Sequence, residues 1–123
     1  MEDLLIETLE QMGYPVCRHG SFADDEEYPR SFFTFWNNGT EKDGFFDNKA
    51  SRLIWSFDLN FYSTDTPLIY SAMAEAVKLL EDAGFITSGL GHDVPSDEPT
   101  HTGRGMEIEI IEKIDREEKE NGR

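Results

Sequence analysis

Residues 52 to 62, Arg52-Leu-Ile-Trp-Ser-Phe-Asp-Leu-Asn-Phe-Tyr62, constrain this chain most, because Leu53, Trp55, Phe57, Leu59 and Phe61 occupy every second position, with Ser56, Asp58 and Asn60 between them. Successive side chains of a strand point to opposite faces, so this period describes a strand with one dry face and one wet face. A dry sheet face needs a cover, and the next segment supplies one. Ser63-Thr-Asp-Thr-Pro67 offers hydroxyl and carboxylate capping groups, with proline at the expected first helical position. Leu68, Ala72, Met73, Ala76, Val77, Leu79, Leu80 and Ala83 then form an apolar stripe that ends at Gly84. These start and stop signals predict an amphipathic helix over residues 67 to 83. Burying the large strand side chains against it gives roughly 10 kcal/mol, at about 1.5–3 kcal/mol each, before conformational entropy is subtracted.

Upstream, Met1, Leu5, Leu9 and Met12, with Leu4 and Ile6 beside them, lie at helical spacing and predict a helix over residues 2 to 12, closed by Gly13. Tyr14-Pro-Val-Cys-Arg18 reads as a short extended piece, since a residue before proline is pushed out of the helical region. Ser31-Phe-Phe-Thr-Phe-Trp36 is rich in strand formers, and Asn37-Asn-Gly-Thr40 reads as the turn that ends it, so residues 31 to 62 form a wide hairpin. Its tip, Lys42-Asp-Gly-Phe-Phe-Asp47, carries Phe45 and Phe46. These aromatics either tuck back into the core, the reading favoured here, or stand out as a contact for another chain. Phe85-Ile-Thr-Ser88 and Gly105-Met-Glu-Ile-Glu-Ile-Ile111 read as two strands that pair across the 89–104 loop, the second alternating Met106, Ile108 and Ile110 with Glu107 and Glu109. The expected fold class is α+β. One domain over residues 1–114 carries an antiparallel sheet of about four strands packed against two helices, in the order α-β-β-α-β-β, followed by a charged, disordered tail over residues 115–123.

Length and composition narrow the function. A chain of 123 residues with 37% hydrophobic content holds one compact core. Its 26 acidic against 11 basic residues give a net charge of -15, a field that repels phosphate backbones and argues against a nucleic-acid reader. The acidity serves either solubility alone or a specific partner. Cys17 is the only cysteine, which excludes an intrachain disulfide and a cysteine-rich zinc site. The first residues lack a secretory pattern, and no apolar run approaches the roughly 20 residues of a membrane helix, so a soluble, intracellular protein is expected.

Candidate sites are few. Asp24-Asp-Glu-Glu27 lacks the ligand spacing and glycine of a calcium loop and reads as a solvated loop, with a metal site as the lesser reading. Within the long 89–104 loop, His92, Asp93, Asp97, Glu98 and His101 match no zinc spacing, and Ser96 lies outside any nucleophile elbow. Cys17 and His19 lack a third, orienting group. The loop is then either a solvent loop, stiffened by its prolines and by turns at Asp97, Thr100 and Thr102, or a partner-binding loop, with Arg104 pairing either a loop acid or a neighbouring subunit's carboxylate. Trp36 and Trp55 sit in strand patterns and read as core or sheet-face residues. No catalytic residue, cofactor or metal is expected. The candidate assembly contacts are Asp97, His101, Arg104, Phe45 and Phe46.

Three phrases, Ser31-Phe-Phe-Thr-Phe-Trp-Asn37, Asp58-Leu-Asn-Phe-Tyr-Ser-Thr64 and Asp93-Val-Pro-Ser-Asp-Glu-Pro-Thr-His-Thr-Gly-Arg104, are similar to wording in small prophage tail-module proteins. With the element order, acidity and size, the chain resembles the tail terminator (tail completion) proteins of long-tailed bacteriophages and prophages. The resemblance covers most of the chain except the charged tail. It implies a non-enzymatic subunit that joins copies of itself in a six-membered ring on the last ring of tail tube protein, stops tube growth and meets the head-tail connector. DNA would pass through the ring without specific binding, no membrane is involved, and the protein would sit in the host cytoplasm during assembly and then in the virion neck. Closed rings need heterologous contacts, and an open sheet edge offers main-chain groups that a neighbour's strand can complete. The alternative, from a different class, is an acidic DNA mimic that inhibits a host nuclease or restriction enzyme. Against it, the acids cluster in a loop, on helix exteriors and in the tail rather than in a ladder of phosphate-like spacing.

Overall fold

The computed structural model describes residues 1–19, 28–45, 49 and 51–114. The acidic run at 24–27, Phe46 and the 115–123 tail lie outside the described residues. The elements in chain order are α1 (Glu2–Glu10), β1 (Val16–Arg18), β2 (Ser31–Asp43), β3 (Arg52–Ser63), α2 (Thr66–Asp82), β4 (Ile86–Thr87), β5 (His92–Val94) and β6 (Thr102–Lys113). Among the described residues they form a single α+β unit with an open six-stranded sheet in the order β1-β2-β3-β6-β4, with β5 also on β6.

Long antiparallel strands β2, β3 and β6 make the frame, with Phe33 opposite Phe61, and Leu59 opposite both Phe35 and Met106. Alternation puts Phe33, Phe35, Phe57, Leu59, Phe61, Met106, Ile108 and Ile110 on one face. The helices cover that face: Leu5 and Leu9 of α1 and Ile69, Ala72, Met73, Ala76, Val77 and Leu80 of α2 are buried with it. Ile69 belongs to the buried stripe in addition to the positions read from the sequence. At the start of α2, Asp65 is the N-cap without a side-chain cap bond, and Ser63 Oγ instead accepts the Asp65 N–H at 3.0 Å.

Four expectations are corrected. The sheet has six strands and is mixed, because the extended piece after Pro15 is a strand, β1, that runs parallel to β2. Asn37-Asn-Gly39 does not turn the chain: β2 continues to Asp43 through a bulge between Asn37 and Gly39. The Asn37 side chain accepts the Gly39 N–H at 2.7 Å and donates to Thr40 Oγ1 at 3.1 Å, so the bulge carries the local hydrogen bonds a turn would have made. The 89–104 segment is not one irregular loop, since it contains β5 and the first residues of β6. Phe45 does not tuck into the core; it is 63% exposed. Among the described residues, no helix is long and apolar enough to cross a membrane.

Candidate functional site

The sheet face away from the helices carries the polar members of the same alternation. Thr34, Trp36, Asp58, Asn60, Tyr62, Gly103, Gly105, Glu107 and Glu109 fall on it by register, and β5 adds His92 and Val94. Two glycines set its relief. A Cβ on Gly103 would stand 2.7 Å from Tyr62 Cε1, and one on Gly105 would stand 2.1 Å from Asn60 Oδ1 and 2.9 Å from Val94 Cγ1. Tyr62 and Asn60 therefore lie down on β6. Beside them runs an open groove of about 260 Å³ lined by His19, Trp36, Asp58, Asn60, Tyr62 and His92, with Val94 and Pro95 at its wall.

His19 packs on Trp36 with ring centroids 4.8 Å apart, and Trp36 Nε1 donates to Asn38 Oδ1 at 2.9 Å. Burial is the main cause that pushes the Tyr62 phenol above its ordinary pKa, and the nearby Asp97 carboxylate adds to it. Asn60 and Thr34 oppose the shift by hydrogen bonding, although the contact to Thr34 Oγ1, a buried atom, falls short of good hydrogen-bond geometry. Asp58 stands directly opposite Glu107, and Glu109 follows two residues on, so one line of carboxylates runs along the open face. Ser56 Oγ donates to Glu109 at 3.2 Å. Among the described residues, no cluster of three or more histidine, cysteine or acidic side chains is arranged to hold a metal.

The residues singled out from sequence are dispersed. Asp97 is exposed, and its carboxylate adds to the rise of the Tyr62 pKa. His101 is buried, at 9% exposure, where Nε2 donates to the Pro29 carbonyl at 2.8 Å and Nδ1 lies 2.9 Å from Thr100 Oγ1. Because a carbonyl only accepts, the Nε2 nitrogen carries the proton. The ring also packs edge-on against Phe32 and Tyr28, so His101 pins the segment entering β6 to the segment entering β2.

Arg104 is likewise internal: Nε donates to the Leu90 carbonyl at 3.0 Å, Nη2 to the Gly91 carbonyl at 2.8 Å, and Nη1 reaches Asp93 at 3.2 Å. Its guanidinium lies 4.8 Å from the centre of the Tyr70 ring. Of the two sequence readings, the loop acid Asp93 is its partner. Phe45 stands exposed at the end of β2–β3. The groove residues Trp36, Asp58 and Tyr62 were not singled out as a site, and the available signal was the polar half of the β3 alternation together with the Gly103 and Gly105 pair. Comparison with protein-family models gives no match, and comparison with curated proteins gives none either.

Proposed function

We propose that this chain is a non-enzymatic, ring-forming subunit that terminates a phage tail tube and joins it to the head connector. The observation that carries the reading is the shape of the β2–β3–β6 ribbon. Beyond Phe35 no described strand lies along the outer side of β2, and beyond Glu109 none lies along the outer side of β6. One subunit thus has two different open edges on opposite sides, as a heterologous contact that closes on itself requires. The helix-free face gives such a ring a wall of Asp58, Glu107 and Glu109, which repels DNA and lets it pass.

The test is to mix the purified chain with its cognate tail tube protein and follow tube length by electron microscopy. Tubes capped at one end by a ring of about six copies support the reading; tubes that elongate unchanged, with no bound chain, overturn it. The same carboxylates suit the DNA-mimic alternative. Capture of a DNA-binding enzyme that free DNA competes away would move the assignment there.

A further inference from the structure

The two open edges are matched to each other in hydrogen-bond phase, in side-chain face and in charge. We infer that β2 of one copy pairs in parallel with β6 of a second copy, with Lys42 opposite Glu112; this deepens the ring reading and rests on it. In the sheet β2 and β6 each run antiparallel to β3, so they point the same way, and copies set side by side around a ring bring β6 of one beside β2 of the next in parallel.

Phase comes first. Backbone groups of successive strand residues point alternately to the two sides of the strand. Phe33 N–H donates to the Pro15 carbonyl and the Phe35 carbonyl accepts from His19 N–H, which turns Phe33 and Phe35 outward and sets Asn60, and so every second β3 residue down to Arg52, facing β2. Beyond the bulge their partners Gly39, Glu41 and Asp43 point inward, and Thr40 and Lys42 point outward. Ile114 N–H donates to the Ser51 carbonyl, which fixes Ile114 inward and turns Lys113 and Ile111 outward. A parallel ladder joins one outward residue to the two that flank its opposite number. The Lys42 N–H then donates to the Ile111 carbonyl of the second copy, and the second copy's Lys113 N–H donates to the Lys42 carbonyl. That places Lys42 opposite Glu112.

Faces and charges agree with this register. Within one chain Lys42, Leu53 and Glu112 form one cross-strand row, and Asp43, Arg52 and Lys113 the next. Extending each row across the junction sets Lys42 against Glu112 on the helix side and Asp43 against Lys113 on the open face. Both pairs are of opposite sign, the arrangement that favours cross-strand neighbours. A lysine on an edge strand ordinarily blunts pairing. Here the carboxylate that neutralises it is the residue that pairing brings opposite; Glu112 Oε1 accepts from Trp55 Nε1 at 3.0 Å within the chain, so Lys42 would meet it through the other oxygen. The contact also covers Ile111, which is 43% exposed in the single copy.

The rows supply a test that cannot be met inside one chain. Lys42 and Glu112 are two strands apart, about 10 Å, beyond the roughly 7 Å reach of a disulfide between Cα atoms. In a Cys17→Ser parent whose fold is checked by circular dichroism, Lys42→Cys with Glu112→Cys should, on mild oxidation, give a ladder of disulfide-linked multimers that reductant collapses. Either cysteine alone should stop at dimers. A double variant that makes nothing beyond those dimers overturns the pairing.

A second set of variants does not depend on oxidation. Lys42→Glu and Glu112→Lys should each weaken self-association about tenfold, and the two together should recover it. Single reversals that leave the assembly unchanged overturn the pairing. A stable ring without the crosslink keeps the ring reading and removes this edge contact. A ladder that lengthens without closing and ignores the tube protein keeps the contact and removes the ring reading.

Discussion

Replacing Arg104 separates a structural role from an assembly role, and the structure sets the size of the effect. Arg104→Met keeps most of the stem that packs on α2 but removes the donors to the Leu90 and Gly91 carbonyls, the stacking over Tyr70 and the bridge to Asp93. Both carbonyls sit in a surface connection that water can reach, so each lost bond costs about 1 kcal/mol rather than the full penalty of a buried orphan. The cation–π contact adds about 0.5–1 kcal/mol. The Asp93 bridge adds little, at about 0–0.5 kcal/mol, because the Asp93 side chain is 79% exposed. The sum is about 2.5–3.5 kcal/mol, which for a chain of 123 residues lowers Tm by roughly 10–14 °C. Arg104→Lys can reach one carbonyl and not the fork, and should lose about half as much. Urea and thermal unfolding followed by circular dichroism measure both, with Asp93→Asn as the control that should stay within about 0.5 kcal/mol of the parent. If Arg104→Met melts within about 2 °C of the parent, or if Asp93→Asn costs as much as Arg104→Met, the stapling role is wrong.

Two further outcomes follow from the open face. Tyr62 has a raised pKa in the folded state, so its contribution to stability is fully present below the ordinary tyrosine value near 10 and is lost as pH rises through the folded pKa. Stability of the parent should therefore fall above about pH 10 more steeply than that of Tyr62→Phe, and identical alkaline profiles would remove the burial argument. Asp58 and Glu107 are like charges directly across the sheet, so Asp58→Asn should stabilise by about 0.2–0.5 kcal/mol in 0.01 M salt and by almost nothing in 1 M salt, where the screening length falls from about 30 Å to 3 Å. A gain that survives 1 M salt would point to packing instead.

Strand β3 and helix α2 were legible because each carries a strong period and its own punctuation, and the two faces implied by Leu53 to Phe61 are the two faces the sheet has. The Asn37-Asn-Gly39 bulge was not legible as such. The pair Asn-Gly favours positive φ and suits a turn, but Gly39 bonds to the Asn37 side chain within a strand held on its inner side by β3, and long-range pairing overrides the local signal. Strands β1 and β5 are three residues each and have no period to detect; both exist because a longer neighbour offers its edge. Arg104 and His101 drew attention as polar residues in a polar segment. Sequence could not show that their partners are the carbonyls of Leu90, Gly91 and Pro29, since main-chain acceptors leave no mark on residue identity.

The same blindness to backbone explains where function is best sought. His101 and Arg104 have their hydrogen-bonding groups engaged within the chain, Trp36 bonds Asn38, and Tyr62 is held by Asn60, so these four side chains serve the fold. Thr34 Oγ1 is the one buried side-chain polar atom left without a partner among the described residues. The outer N–H and C=O groups of Thr40 and Lys42 on β2 and of Ile111 and Lys113 on β6, by contrast, meet no described strand. In the isolated chain water satisfies them, and each exchange of water for a strand gains only about 0.5–1.5 kcal/mol. Two parallel bonds, two opposite-charge rows and a covered isoleucine give a weak junction, unable to hold two copies alone at low concentration. Closing a ring changes that balance, because the last subunit makes two junctions for one loss of free motion. The reading therefore requires assembly to be steeply concentration dependent and favoured on a tube end that gathers the copies, and a tight, isolated dimer in solution would contradict it.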